Sequence, residues 1–328
     1  MKREKHPDLK AVSQSIGMVF IVIGLLGLVP LLVSLFYNED ITPFLAVSVL
    51  PLAAGIAIST FYQGEIDLRV KHAAIAAALT YLIAAILGAV PFMYYGMGLL
   101  DSVFEAMSGW TTTGLTMIAD VEAMPRSLLF WRSFMQWLGG VGVIVLMLVI
   151  LAGTGSAAEK LYQAEARKDR IKPRLLSTVR LIWWIYLIYS LAGILLYYLA
   201  GMTVFDAVNH SLSMLSTGGF STRNLNIESF GSFGIELVTI LIMMLGATNF
   251  LVHYKVLTGR RSALFRDLET RSLFLITILG ALVLFLKVPS LRASFFQAVS
   301  AITTTGSSSI DVTALGEFPK LAMSFMMM

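Results

Sequence analysis

Seven long stretches that are rich in apolar residues and poor in charge set the strongest limit on how this chain can fold. A helix needs about 20 apolar residues to cross the roughly 30 Å hydrocarbon core of a bilayer. The predicted spans cover residues 11–36, 42–62, 73–95, 128–152, 181–200, 233–254 and 272–286. Only 13% of the 328 residues are charged, against about a quarter in a soluble domain. We therefore predict an all-α polytopic membrane protein.

The residue inventory argues against an enzyme. The chain has no cysteine and only four histidines, so thiolate metal sites and cysteine nucleophiles are excluded. The sequence contains no HExxH, GxSxG or phosphate-binding-loop pattern. An intramembrane enzyme would need a nucleophile with its base, or a cluster of metal ligands, and the predicted spans offer neither. We expect no catalytic residue and no cofactor.

Basic residues cluster in alternate connections between the spans, and this alternation predicts topology because Lys and Arg resist translocation. The basic connections are the N-terminus, the residues after the second span, the segment 153–180 and the segment 255–271. We expect these to be cytoplasmic, in a multi-pass protein of the cell membrane. The same loops explain the net charge of +4 without nucleic-acid binding.

A polar motif recurs after the third, fifth and seventh spans, always on the predicted outward side. The copies read VFEAMSGWTTTGLT from Val103, NHSLSMLSTGGFST from Asn209 and FFQAVSAITTTGSS from Phe295. In each copy an apolar segment of roughly ten residues precedes the polar string, and ten residues cannot cross the bilayer as a helix. The repeat therefore predicts a span, a re-entrant half-helix, a polar loop and a second span.

Such loops suit the lining of a cation pathway. Irregular backbone survives at membrane depth only when it is buried in protein or lines a watery path. Glycine adopts backbone angles closed to other residues, which lets successive carbonyls face one axis and replace the hydration shell of a cation. A single TTTG would fit equally well with threonines hydrogen-bonded to their own helices. Three copies at matching positions favour a filter.

These residues carry a family resemblance. The loops at 111–114, 216–222 and 303–306, with WRSFMQWLGGVGVIVL from Trp131 and LGATNFLVHYKVLTGR from Leu245, resemble the TrkH-type membrane subunit of Trk potassium uptake systems, in the Trk/Ktr/HKT superfamily. The resemblance implies four pseudo-symmetric repeats around one pore, a homodimer, and a cytosolic, nucleotide-binding, TrkA-like regulatory subunit. It also implies that K⁺ binds to carbonyls of the two residues before each filter glycine. The implied filter residues are Thr112, Thr113, Gly114, Thr217, Gly218, Gly219, Thr304, Thr305 and Gly306.

The repeats predict how the chain is organised. A two-helix region covers 1–71, pore repeats cover 72–160 and 161–262, and an incomplete third repeat covers 263–328. We expect a fourth filter loop beyond Met328, so that this chain is a fragment. The alternatives are a sodium-permeable or ion-coupled transporter of the same superfamily, or a membrane fragment that does not conduct.

Three further residues each carry an expectation, and the expectation for Arg132 has two alternatives. Arg132 either snorkels to the membrane interface or forms a structural ion pair inside the bundle, with Gln136 on the same helical face. His210 is expected to be a hydrogen-bonded structural histidine and not a metal ligand. Gly218 is expected to contribute its carbonyl and therefore to tolerate alanine better than Gly219.

Overall fold

The computed structural model describes residues 7–62, 70–152, 175–288 and 290–327, and these residues are helical with connecting loops. The helices are α1 (Pro7–Tyr37), α2 (Thr42–Phe61), α3 (Val70–Gly88), α4 (Val90–Tyr94), α5 (Leu99–Trp110), α6 (Arg126–Ala152), α7 (Leu175–Leu199), α8 (Val204–Leu215), α9 (Phe233–Ala247), α10 (Phe250–Leu257), α11 (Ala263–Arg266), α12 (Leu268–Phe285), α13 (Leu291–Ile302) and α14 (Glu317–Met327), with a 3₁₀ helix at Asn226–Phe230. The chain is an all-α polytopic membrane protein, as the sequence predicts.

Four helical segments in the described part of the chain are long and apolar enough to cross a membrane: Ser13–Tyr37, Thr42–Phe61, Arg180–Leu199 and Leu268–Phe285. Their apolar side chains face outward. In α12, Leu275, Leu279 and Leu282 recur at helical spacing and each is more than half exposed. A stripe of this kind suits a helix whose solvent is lipid, since an apolar face exposed to water would be unfavourable.

Two predicted spans are divided in the structure. The span 73–95 becomes α3 and α4, and Pro91 contributes to the break because it has no amide N–H for the preceding turn. The span 233–254 becomes α9 and α10, because Thr248 is extended (φ −82°, ψ 138°). His253 Nε2 bonds to the Leu245 carbonyl across this break at 2.9 Å, which satisfies a carbonyl at the end of α9.

The described residues form two compact units. The first comprises the described residues within 1–110, 125–131 and 141–180. In it α1 and α2 pack closely through small residues, since a Cβ added at Gly24 would lie 2.7 Å from the Ser48 carbonyl oxygen. Trp131 is fully buried there and donates from Nε1 to the Gly88 carbonyl at 3.1 Å.

The second unit comprises the described residues within 111–124, 132–140 and 181–328, and it contains all three glycine loops. Its helices also approach closely at glycines. A Cβ added at Gly140 would lie 2.9 Å from both Ser216 Cβ and the Tyr186 hydroxyl. In α9, Gly246 packs directly against the Leu215 carbonyl at the end of α8. The second half-helix is thus held at its C-terminal end by residues without side chains.

Candidate functional site

The three predicted half-helices are present as α5, α8 and α13. Each has 12 residues, which corresponds to about 18 Å of helix and is too short to cross a bilayer. Each ends four residues before the glycine of its loop, at Trp110, Leu215 and Ile302. The repeat read from the sequence is therefore also a repeat of backbone structure.

The loops share an unusual backbone. A β-branched residue with positive φ is a steric outlier that costs about 1–3 kcal/mol, and such residues cluster at functional sites. Each loop has a threonine with positive φ two residues before a glycine with positive φ: Thr112 (55°) and Gly114 (79°), Thr217 (54°) and Gly219 (80°), Thr304 (56°) and Gly306 (72°). The identical pattern in three places indicates one shared geometric requirement.

The hydrogen bonds of two loops show where their carbonyls point. Gly218 N–H donates to the Ser213 carbonyl at 2.8 Å, and Thr305 N–H donates to the Ser300 carbonyl at 3.0 Å. In a trans peptide the C=O points opposite to the N–H of the same plane. The carbonyls of Thr217 and Thr304 therefore point away from their half-helices, as ion ligands at a filter would.

The loops approach one another at their glycines. A Cβ added at Gly114 would collide with the Gly218 carbonyl oxygen, and one added at Gly219 would collide with the Thr305 carbonyl oxygen. Each contact joins the last glycine of one loop to the carbonyl just before the corresponding glycine of the next loop. A Cβ at Gly306 would meet no described atom within 4 Å. At Gly114 and Gly219 the absence of a side chain is thus required by contact as well as by φ.

Threonine side chains stabilise the first and third loops in the same way. The hydroxyls of Thr111 and Thr113 lie 2.8 Å apart, and those of Thr303 and Thr305 lie 2.7 Å apart. In the second loop, Gly218 stands where the other two have Thr113 and Thr305. That loop needs another partner.

Gln136 of α6 supplies that partner. A Cβ added at Gly218 would lie 2.5 Å from Gln136 Oε1 and 2.7 Å from Nε2, so the amide fills the space of the missing side chain. The fully buried amide donates from Nε2 to the Gly218 carbonyl at 2.7 Å. Its Oε1 accepts from Ser213 Oγ at 2.6 Å and from Phe220 N–H at 3.2 Å. An alanine side chain at Gly218 would displace this amide, whereas one at Gly219 would collide with the Thr305 backbone carbonyl. The expectation that Gly218 tolerates alanine better than Gly219 therefore stays a prediction.

Arg132, one turn before Gln136, is bound to two loops. Its side chain is 2% exposed, so it does not snorkel to the interface. The guanidinium donates to the Ser221 carbonyl and to Thr116 Oγ1, both at 3.1 Å, and lies over the Phe220 ring at 4.1 Å. Ser221 and Thr116 each follow the glycine with positive φ in their loop by two residues. Arg132 thus holds equivalent positions of the first and second loops.

A buried polar cluster fixes the second loop to the start of α8. Asp206 accepts hydrogen bonds from Thr222 Oγ1 at 2.6 Å and from Arg223 Nη2 at 2.9 Å. His210 is fully buried; its Nδ1 donates to the Asp206 carbonyl at 2.8 Å and its Nε2 accepts from Ser221 Oγ at 2.9 Å. Both ring nitrogens are occupied, so the prediction of a structural histidine is confirmed.

The connections that follow the first and second loops are also joined. Asn224 Oδ1 accepts from Val121 N–H at 2.7 Å, and Asn224 Nδ2 donates to Asp120 Oδ1 at 2.9 Å. The Asn224 hydrogen bond lowers the pKa of the Asp120 carboxyl. In the part of the chain that the structure describes, no group of three or more His, Asp or Glu side chains is arranged to hold a metal ion.

Sequence reasoning did not find the roles of several of these residues. It placed Gln136 and Arg132 on one face of a helix but did not show that this face meets the loops. The absence of a threonine at Gly218 was the available signal, because a gap in one of three repeats implies that another side chain fills it. Asp206 and Arg223 gave no local pattern.

The fold and the three loops define a class of protein: a polytopic membrane transporter built from repeated half-helix and loop units. The comparisons with known proteins give the family. A family model described as "TrkH: Cation transport protein" matches residues 63–328, and the chain belongs to the TrkH family.

Relatives and one solved structure agree with this assignment. An uncharacterised cation transporter of Methanocaldococcus jannaschii is 38% identical over 328 residues, covering 98% of this chain and 68% of the relative. The Trk system potassium uptake protein TrkH of Vibrio parahaemolyticus is 30% identical, covering 95% of this chain and 68% of that protein. The crystal structure of the potassium transporter TrkH from Vibrio parahaemolyticus superposes with a TM-score of 0.83 at 28% identity, over 97% of this chain and 69% of that one.

Proposed function

We propose that this chain is the translocating subunit of a Trk-type potassium uptake system and that its three glycine loops line the filter through which K⁺ passes. The observation that carries the proposal is the repeated contact between a filter glycine and the carbonyl before the filter glycine of the next loop. The name of the Vibrio parahaemolyticus relative, a potassium uptake protein, supports the choice of ion.

The proposed ligands are backbone oxygens. Carbonyl rings replace the hydration shell of K⁺, and selectivity depends on how many dipoles surround the ion and how they are spaced. The proposed filter residues are Thr112, Thr113, Gly114, Thr217, Gly218, Gly219, Thr304, Thr305 and Gly306. The carbonyl of Gly218 differs from its counterparts in one respect: it also accepts the hydrogen bond from Gln136. Because the Gly218 carbonyl oxygen already accepts one hydrogen bond, it has less capacity left to coordinate the ion.

The half-helices add to the field at such a site. The C-terminal end of a helix carries about half a negative charge, and all three end four residues before their filter glycines. Partial negative charge near a row of carbonyls attracts a cation and repels an anion. This argument sets the sign of the ion and does not by itself distinguish K⁺ from Na⁺.

Topology and partners belong to the same proposal. We place the N-terminus and the basic segment 153–180 in the cytoplasm and the glycine loops at the outer side, on the positive-inside rule. Residues 1–6 and 153–174 of these segments lie outside the described residues. A cytosolic nucleotide-binding regulatory subunit and a homodimer are proposed from the family resemblance, and the repeat boundaries at 72, 161 and 263 are proposed from the sequence repeats.

The test is potassium uptake by the full-length protein in cells that lack their own potassium uptake systems. Growth at low external K⁺ is expected with the wild type. Gly219→Ser is expected to lower the ratio of K⁺ to Na⁺ uptake, because its side chain would displace the Thr305 carbonyl. Gly201→Ser is the matched control: Gly201 also has a positive φ (108°) but its added Cβ would meet nothing within 4 Å. Equal ratios for wild type and Gly219→Ser at matched surface expression would reject the filter.

A further inference from the structure

Asn226 has the same positive φ as the threonines of the three loops, although it lies outside them. It begins the 3₁₀ helix Asn226–Phe230, in the connection from the second loop to α9, and its φ is 55°. Among the described residues, the other non-glycine positions with positive φ are the three filter threonines and Asn38. Asparagine tolerates this conformation better than most residues, but a strained position still calls for an explanation.

The Asn226 side chain joins two filter loops. Its Nδ2 donates to the carbonyl of Gly219, the filter glycine of the second loop, at 3.1 Å. Its Oδ1 accepts from the hydroxyl of Ser307, the residue after the third filter glycine, at 2.8 Å. The same Oδ1 accepts from Ile227 N–H at 2.9 Å, which fixes the amide relative to its own backbone. One side chain therefore uses both its donor and its acceptor on filter loops.

Neighbouring bonds make this connection rigid. Glu228 N–H, two residues after Asn226, donates to the Ser308 carbonyl at 3.2 Å. Ser300 Oγ of α13 donates to the Ser307 carbonyl at 2.6 Å. The segment after the third filter glycine is thus held by its own half-helix on one side and by the 3₁₀ helix on the other. A change at Asn226 would act on a defined contact.

The Asn226 hydrogen bond lies next to a contact that involves a proposed ion ligand. Gly219 packs against the Thr305 carbonyl oxygen, which is one of the proposed ligands. The bond from Asn226 sets the orientation of the Gly219 carbonyl and so of the peptide plane next to that contact. We propose that Asn226 is a positioning residue that fixes the spacing of the second and third filter loops and thereby contributes to the preference for K⁺ over Na⁺. The inference rests on the proposed function.

The chemistry of the site explains why asparagine fits. The position needs a donor for the Gly219 carbonyl, an acceptor for the Ser307 hydroxyl and tolerance of positive φ. Aspartate has the same shape and keeps the acceptor, but it turns an oxygen toward the Gly219 carbonyl in place of a donor. Glycine accepts the φ and makes neither bond. These two substitutions separate the hydrogen bond from the backbone conformation.

The test uses the full-length protein purified and reconstituted in liposomes, with K⁺ and Na⁺ uptake measured in parallel. Asn226→Asp is expected to lower the K⁺/Na⁺ uptake ratio about fivefold, the factor that corresponds to one net hydrogen bond of about 1 kcal/mol. Ser307→Ala removes only the second link and is expected to lower the ratio by a smaller factor. Asn38→Asp is the matched control, because Asn38 has a φ of 54° in the connection between α1 and α2, and its ratio is expected to equal that of wild type.

The outcomes separate the two proposals. If the wild type prefers K⁺ and both Asn226→Asp and Asn226→Gly keep the wild-type K⁺/Na⁺ uptake ratio, the positioning role is overturned and the proposed function stands. A wild type without preference for K⁺ overturns the proposed function itself. If Asn226→Asp shows no uptake, the thermal stabilisation by K⁺ relative to Na⁺ is measured for Ser307→Ala and Asn226→Gly in detergent. A smaller K⁺ advantage than in wild type supports the positioning role, and an equal advantage overturns it.

Discussion

Alanine at Gly218 tests the packing behind the second loop. The Cβ would lie 2.5 Å from Gln136 Oε1 and 2.7 Å from Nε2, so the amide must leave its site. It would then lose the bonds to Ser213 Oγ, Phe220 N–H and the Gly218 carbonyl. At about 1 kcal/mol of net stability for each bond, Gly218→Ala is expected to cost about 2–3 kcal/mol. Gly218→Ala should therefore lower the melting temperature of the purified protein and reduce K⁺ uptake.

A double-mutant cycle isolates the cause. Gln136→Ala alone removes the same amide and leaves the Ser213 hydroxyl and Phe220 N–H without it, so its cost is expected to be similar. In the protein with both changes the new Cβ enters space that the amide has vacated, and the two costs should overlap by about 2 kcal/mol. Thermal unfolding in detergent measures all three variants. Additive losses, or a Gly218→Ala melting temperature within about 1 °C of wild type, would refute the reasoning.

Two further predictions concern the hydrogen bonds that Arg132 of α6 makes to two loops, and the topology. Arg132→Lys is expected to lose one of the two bonds to Ser221 and Thr116, since an ammonium lacks the fork of a guanidinium, and to cost about 1.5–3 kcal/mol in thermal unfolding; wild-type stability would contradict this role. Ala164→Cys, in a chain without other cysteines, is expected to resist a membrane-impermeant thiol reagent in intact cells and to react after permeabilisation. Labelling from outside would invert the proposed topology.

The sequence was enough to predict the fold class and the repeat because both depend on local patterns. Span length follows from apolar runs, and a 12-residue half-helix follows from an apolar segment that ends in a polar, glycine-containing string. The three copies of the motif also place the residues with positive φ in register, since each such threonine lies two positions before its glycine. Local patterns determine local backbone.

The sequence was not enough to predict which distant side chains support the loops. Gln136 is 82 residues from Gly218, and Asn226 is 81 residues from Ser307. Such pairs depend on tertiary packing, which leaves no periodic signal. The packing of Gln136 against Gly218 escaped the sequence for this reason, because the side chain that fills the space beside Gly218 is distant along the chain. The break in the span 233–254 falls at Thr248, and a threonine at that residue does not predict the end of a helix.

The most direct test of the central claim is to locate the ion. Crystals of the full-length protein grown with Tl⁺ or Rb⁺ in place of K⁺ would show bound cation in an anomalous difference map. The proposal predicts a peak bounded by the carbonyl oxygens of the residues before each filter glycine, namely Thr112, Thr113, Thr217, Gly218, Thr304 and Thr305. Well-ordered loops with no peak between them, or a peak that these carbonyls do not surround, would contradict it.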